Sequence, residues 1–387
     1  MRRLDFDNAA TSFPKAPGVA EAVAAYLIDN GAPAGRGAYR QAIEVSRVID
    51  RCRQSAAQLF AAAHSRNIVF TFNGTDSLNL AILGLCRPGD HVVSTTWEHN
   101  SVLRPLRMLS AQRDVTVTLL EPDANGLIDP TQVQEALRPE TRLVAIQHAN
   151  NVIGVIQPIA EIGAVVRRQG AFFLVDAAQS AGHVPIDVSA MSIDLLACSG
   201  HKGLLGPLGT GLLAISDRVA GELNPLRYGG TGTHSEDDRQ PDELPEKYES
   251  GNLNVPGLVG LDASLTWLVR QSLQSLRAHE SVLTHQLWEA LAAIRGVTLC
   301  GPDPRQVPRT GVISLQFADY PPQDAATILD DHFGVQCRAG LHCAPGVHRS
   351  LGTIAGGGTL RLSVGAFTTP DDVEHVAAAL RALSGDG

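Results

Sequence analysis

The sequence predicts an α/β protein with a large, mostly parallel sheet of seven strands and a smaller α+β unit. Three observations carry this. Seven short apolar or β-branched runs alternate with helical patterns between residues 68 and 215, a Gly-, Pro- and charge-rich stretch at 224–256 breaks the rhythm, and shorter strands and helices resume from about 297. Strands separated by helix-length segments need crossovers, and crossovers give parallel neighbours.

The seven runs are IVFTF (68–72), HVVST (91–95), VTVTLL (115–120), RLVAIQ (142–147), AFFLVD (171–176), DLLAC (194–198) and GLLAI (211–215). The 224–256 stretch lacks periodicity and reads as a long functional loop that ends the first unit. Leu258, Leu261, Leu265 and Leu268 fit one face of an amphipathic helix that continues, with interruptions, to about residue 294 as a connector. Beyond it, VISLQF (312–317) and LRLSV (360–364) are strands, while AATILDDHF and DDVEHVAAALRAL are helices.

Composition narrows the partners. Of 387 residues, 44% are hydrophobic and 18% charged, as in ordinary globular proteins. Lys and Arg number 31 against 40 acidic residues, a net charge of −9, and no basic run suggests nucleic acid; a small-molecule partner is expected. No apolar stretch reaches membrane-spanning length, and MRRLDFDNAATSFP has no apolar segment behind its charges, so a soluble, cytoplasmic protein is expected. Six cysteines scattered through the chain suit reduced thiols.

Only three residues are lysine, Lys15, Lys202 and Lys247, so the other 28 of the 31 basic residues are arginine. Forming an imine is a task guanidinium cannot perform, because it does not give up its proton. Lys202 is therefore a candidate, set in Ser199-Gly200-His201-Lys202-Gly203 with Gly206, Gly209 and Gly211 following. Glycines there permit close backbone approach to a ligand; a surface lysine in a strand connection remains open. Asn73-Gly74-Thr75-Asp76 follows a strand and opens a helix, the setting in which N–H groups bind phosphate, although Asp76 as a simple N-cap serves equally. Asp176 ends a strand at the carboxyl edge of the sheet, with Gln179 three residues on, and a carboxylate there suits a pyridinium N–H.

The segments LDFDNAATSFPK (4–15), WEHNSVLRPL (97–106), HANNVIGVIQPI (148–159), VDAAQSAGH (175–183), SGHKGLLGPLGTGLL (199–213), YESGNLNVPG (248–257) and RAGLHCAP (338–345) span nearly the whole chain. With them the sequence resembles the class V aminotransferase-fold, pyridoxal-phosphate-dependent cysteine desulfurases and selenocysteine lyases. The resemblance implies the aspartate aminotransferase-like, type I fold of these transferases. It also implies a large cofactor domain over 16–257 and a small domain from 1–15 and 258–387 that carries a catalytic cysteine loop.

By the same resemblance Lys202 holds pyridoxal 5′-phosphate covalently and shuttles the substrate α-proton, while His99 lies over the pyridine ring. Asp176 pairs with the ring nitrogen and Gln179 with the phenolic oxygen; Gly74, Thr75, Ser199 and His201 serve the phosphate, as does Asn252 across a dimer interface. Asn151, Arg361 and Arg36 match substrate-binding positions, and a guanidinium suits a planar carboxylate. Cys343 is the implied nucleophile that removes sulfur from L-cysteine as a persulfide and passes it to a thiol or protein acceptor, with Arg338 and His342 nearby to favour thiolate. L-Selenocysteine is the alternative substrate, and iron–sulfur or thio-cofactor assembly the expected destination of the sulfur.

Two departures stand out. Asn252 replaces the usual Thr of a Ser-Gly-Thr triplet, and Tyr39 stands where many relatives have His after Arg36-Gly37. Read from the residues alone, Cys343 could instead be a buried small hydrophobe. A metal site of Cys337, His342, Cys343 and His348 has a spacing that matches no usual zinc pattern.

Overall fold

A computed structural model describes residues 3–35, 37–232 and 237–385. In chain order, β1 (Leu4–Asp5) precedes the main-sheet strands β2 (Ile68–Thr71), β3 (His91–Thr95), β4 (Thr116–Leu120), β5 (Thr141–Gln147), β6 (Phe172–Asp176), β7 (Leu195–Ser199) and β8 (Gly211–Ile215). They are followed by β9 (Val297–Cys300), β10 (Val312–Phe317), β11 (Val335–Gln336), β12 (Arg338–Gly340) and β13 (Thr359–Ser363). The main sheet runs β2-β8-β7-β6-β5-β3-β4, a second sheet runs β12-β13-β10-β9, and β1 pairs with β11.

All main-sheet neighbours are parallel except β8, which is antiparallel to both β2 and β7. The reason lies in the connection. β7 and β8 are joined by a short Gly-rich loop, residues 200–210, too short for a crossover helix, so the chain must return antiparallel. That return leaves the loop, with Lys202 on it, at the carboxyl edge of the parallel strands.

Residues of β5, β6 and β7 are buried on both faces, as parallel strands require. Val144, Ile146, Phe173, Val175 and Leu196 join one core, and their neighbours Leu143, Ala145, Phe172, Leu174 and Leu195 join the other. This alternation has the two-residue period of a pleated strand. Helices Arg40–Leu59, Ile159–Arg168 and Val255–Arg270 cover the first face, and Gly74–Leu85 and Asn100–Gln112 the second. A third core packs β10 and β13 against helices Leu273–Ala292, Pro322–Phe333 and Pro370–Ser384.

The expected interruption of the connector falls at Gln271 and Ser272, where the Ser272 hydroxyl caps the second of two helices by accepting the Ser275 N–H at 3.2 Å. One expectation is amended: Leu258, Leu261, Leu265 and Leu268 bury into the main-sheet core, so the first of these helices packs on the main sheet.

Candidate active site

Strand ends set the floor of the site. Asp176, the last residue of β6, stands in register with Gln147 at the end of β5 and Ala197 on β7. Its carboxylate is buried, and Oδ1 accepts the Ala178 N–H at 2.9 Å. Burial pushes its pKa up, against that hydrogen bond and the charge of Lys202.

Lys202 sits on the return loop, which closes on itself through Gly206 N–H to Gly200 O and Leu205 N–H to Lys202 O, both 2.8 Å. Gly203 is required here because a Cβ would lie 2.3 Å from the Ala181 carbonyl oxygen. Burial lowers the Lys202 pKa from 10.5 to about 8, with Asp176 opposing and Arg361 and Arg338 adding to the fall.

Helix Gly74–Leu85 points its first turn at the same place. Its cap is Asn73, whose Oδ1 accepts the Asp76 N–H at 2.9 Å, so Asp76 is a first-turn residue and not the cap. A Cβ on Gly74 would stand 2.6 Å from Ser199 Oγ, and its absence lets the helix start close over the end of β7. Thr75 Oγ1 lies 2.7 Å from Ser101 Oγ.

His99 caps helix Asn100–Gln112, with Nδ1 accepting the Ser101 N–H at 3.0 Å. That acceptor role places the proton of the neutral ring on Nε2. Burial first, then the charges of Lys202, Arg104 and Arg361, lower its pKa to about 4.

Gly74, Thr75, His99, Asn151, Asp176, Gln179, Ser199 and Lys202 all line one cavity. Ser101 and Gln147 line it too, and the sequence had not singled them out. Ser101 could have been found as the partner two residues beyond a capping His, and Gln147 as the polar residue ending an apolar strand. Gln179 Nε2 donates to Ala9 O at 2.8 Å. His201 does not line this cavity; its carbonyl oxygen accepts the Ser12 N–H and Lys15 Nζ–H, and its own Nδ1 is buried without a partner among the described residues. Asn252 lines a different cavity with Arg227 and Glu249. Arg36 lies outside the described residues.

Above the cavity, Arg361 and Arg338 face each other across β13 and β12, and both reach Asp7. Arg361 Nη2 donates to Asp7 Oδ1 at 2.9 Å and Arg338 Nε to Asp7 Oδ2 at 3.0 Å. Arg361 Nη1 donates to Asn151 O at 3.0 Å, and Asn151 Nδ2 to His342 O at 2.6 Å. Arg361 Nε and Asn151 Oδ1 are buried with no partner among the described residues, one donor and one acceptor.

Cys343 is exposed, and both it and His342 hold positive φ, 59° and 48°. Its carbonyl oxygen accepts the Asn100 N–H at 2.9 Å, tying the cysteine loop to the residue after His99. His342 Nε2 lies 3.0 Å from Thr359 Oγ1, and burial drives its pKa down to about 2. A neutral His342 offers no charge to a thiolate, contrary to the sequence-based expectation; the cations that interact with Cys343 are Lys202 and Arg361.

The fold and this arrangement define a class: the chain belongs to the class-V aminotransferase family, whose profile matches residues 5–376. Among its relatives, a probable cysteine desulfurase of Methanothermobacter thermautotrophicus is 36% identical over 384 residues, covering 98% of this chain and 94% of its own. The cysteine desulfurase IscS of Shewanella denitrificans is 34% identical over 381 residues, covering 95% and 89%. The apo structure of cysteine desulfurase from Thermococcus onnurineus superposes at a TM-score of 0.92 with 33% identity, covering 100% and 95%. Escherichia coli CsdA in its S-sulfonic acid form does so at 0.89 with 28% identity, covering 99% and 95%.

With the family comes its cofactor, pyridoxal 5′-phosphate, and the residues present fit it. The cavity offers a buried carboxylate for a ring N–H, a neutral imidazole beside it, a softened amine, and a helix start whose missing Cβ leaves room beside Thr75 and Ser199 hydroxyls.

Proposed function

We propose that Lys202, Asp176, His99, Arg361 and Cys343 carry out the reaction in the roles given below. The chain is a pyridoxal-phosphate-dependent cysteine desulfurase, which converts L-cysteine to L-alanine and retains the sulfur as an enzyme persulfide. The observation that carries the assignment of roles is the convergence of Lys202, Asp176 and His99 on one cavity, with the unpartnered Arg361 Nε and Asn151 Oδ1 buried nearby.

Bound pyridoxal phosphate supplies an electron sink for the substrate α-carbon. Asp176 accepts the ring N–H, and its burial strengthens that contact by keeping water away. Gly74 N–H, Thr75 Oγ1 and Ser199 Oγ would hold the phosphate, and His99 would face the ring as a neutral imidazole. Arg361 Nε–H donates to the substrate carboxylate. The Lys202 amine, softened by burial, accepts the α-proton and returns it. Cys343 as thiolate attacks the substrate sulfur: an S–S bond forms, the Cβ–S bond breaks, and its electron pair stays with the carbon skeleton, which takes up a proton at Cβ. Cysteine sulfur is oxidised to the persulfide level as Cβ is reduced to methyl, so the exchange needs no outside oxidant.

The two-unit division is part of the proposal, with helix Val255–Arg270 assigned to the large unit. So is a homodimer, in which Asn252, which does not line the site cavity of its own chain, serves the partner subunit's phosphate. The persulfide is proposed to pass to a thiol or protein acceptor in the cytoplasm for iron–sulfur or thio-cofactor assembly. Among the described residues no helix is long and apolar enough to cross a membrane.

Borohydride reduction of the holoenzyme followed by peptide mapping tests the assignment. Lys15 is also softened by burial, to about 8, but its Nζ is held by Thr11 Oγ1, Ser12 Oγ and His201 O at 2.9–3.2 Å. The label is expected on Lys202; a label on Lys15 or Lys247 would overturn it.

A further inference from the structure

Glu98 is wholly buried, yet none of the chemistry above uses it. Its Oε1 accepts the Thr95 hydroxyl at 2.8 Å, and its Oε2 accepts the Gln147 N–H at 2.9 Å. Thr95 ends β3 and Gln147 ends β5, and Gln147 stands in register with Asp176 on β6. Two further bonds close the same turn: Gln147 Nε2 donates to Trp97 O at 2.7 Å, and Trp97 N–H to Thr95 Oγ1 at 3.2 Å. The irregular segment that delivers His99 is thereby fastened to the strand beside Asp176.

A carboxyl is a costly choice for this place. Burial raises its pKa to about 8, Asp176 adds to the rise, and an apolar side chain of similar volume would carry no such penalty. An apolar residue, however, would leave the Gln147 N–H without its acceptor and the turn without its link across β3 and β5.

We propose that Glu98 is a positioning residue which, through Thr95 and Gln147, fixes the separation between the His99 ring and the Asp176 carboxylate. The inference rests on the proposed placement of the cofactor ring between those two groups. The chain carries this function on a residue that touches neither cofactor nor substrate.

The test compares holoenzymes of wild type, Glu98→Gln, Glu98→Ala and Thr95→Val by the induced circular dichroism of the bound cofactor, by kcat and KM for L-cysteine, and by thermal melting. A glutamine can turn its carbonyl oxygen to the Gln147 N–H and its amide to Thr95 Oγ1, which has acceptor capacity. Glu98→Gln is expected to keep the dichroic band and kcat within about twofold of wild type. Glu98→Ala is expected to lose at least about tenfold in kcat, with KM changed less than about twofold, and to alter the band.

A Glu98→Ala enzyme that melts earlier but keeps the band and kcat would overturn the proposal, and so would a Glu98→Gln enzyme as impaired as Glu98→Ala. Should Glu98→Ala not fold, Thr95→Val deletes one of the two links: a smaller band change of the same sign supports the proposal, and an unchanged band overturns it. His99→Ala separates the two levels of inference. A band indifferent to His99→Ala would overturn the placement of His99 itself, whereas a band that responds to His99→Ala but not to Glu98→Ala overturns only the role of Glu98.

Discussion

Reconstituting apoprotein with pyridoxal phosphate across the range from about pH 6 to about pH 10 probes how far burial has softened Lys202. With its pKa lowered from 10.5 to about 8, the amine is roughly a quarter neutral at about pH 7.5, against roughly one part in a thousand for an ordinary lysine. Only the neutral amine attacks the cofactor aldehyde, so burial raises its reactive fraction by about 200-fold. The rate of growth of the visible absorption band should rise with pH and level off above about 8, and peptide mapping after borohydride separates Lys202 from Lys15. Asp176 holds the Lys202 pKa up, so Asp176→Asn should move the inflection to lower pH. A rate still climbing past about pH 10, or an inflection that moves upward in Asp176→Asn, would refute the reasoning.

Stability should respond to the same group. Because folding depresses the Lys202 pKa, the folded state disfavours its proton; the penalty is full below about pH 8 and fades as pH rises toward 10.5. The shift corresponds to ~3 kcal/mol, and solvent screening of this half-buried amine reduces it to about 2 kcal/mol. Lys202→Met should therefore stabilise the apoprotein by about that amount at neutral pH in urea titrations, with the gain vanishing near pH 10.5; a constant or growing gain would contradict the sign. Gly74→Ala puts a methyl 2.6 Å from Ser199 Oγ and should weaken cofactor binding by about tenfold, measured by fluorescence titration; unchanged affinity would remove that helix start from the phosphate site. Glu249→Ala strips the buried Arg53 of its carboxylate partner, 2.8 Å away, and the Phe70 N–H of its acceptor, so unfolding free energy should fall by about 3–5 kcal/mol. A loss below about 1 kcal/mol would show the pair to be replaceable by solvent.

The strands were legible because each is a short apolar run with polar or glycine flanks: HVVST and GLLAI occupy the residues the sequence marks. The direction of GLLAI was not legible, since orientation depends on the length of the connection before it and not on the strand's composition. The stripe from Leu258 to Leu268 revealed a helix but not its partner, because an amphipathic face does not say which core it joins. Lysine scarcity pointed to Lys202, and the strand-end position pointed to Asp176. The supporting residues were harder to see. Glu98 and Asp7 act by bridging elements distant in sequence, and the uncharged state of His342 follows from burial that only packing creates.

The central claim is that Cys343 carries sulfur away from L-cysteine while Lys202 and the cofactor release alanine. The most direct measurement incubates holoenzyme with L-cysteine and a thiol reductant and quantifies alanine and sulfide together, in parallel with Cys343→Ala. Equal alanine and sulfide from the wild type, with both lost in the variant, is the predicted result. Alanine and sulfide formed undiminished by Cys343→Ala would contradict it.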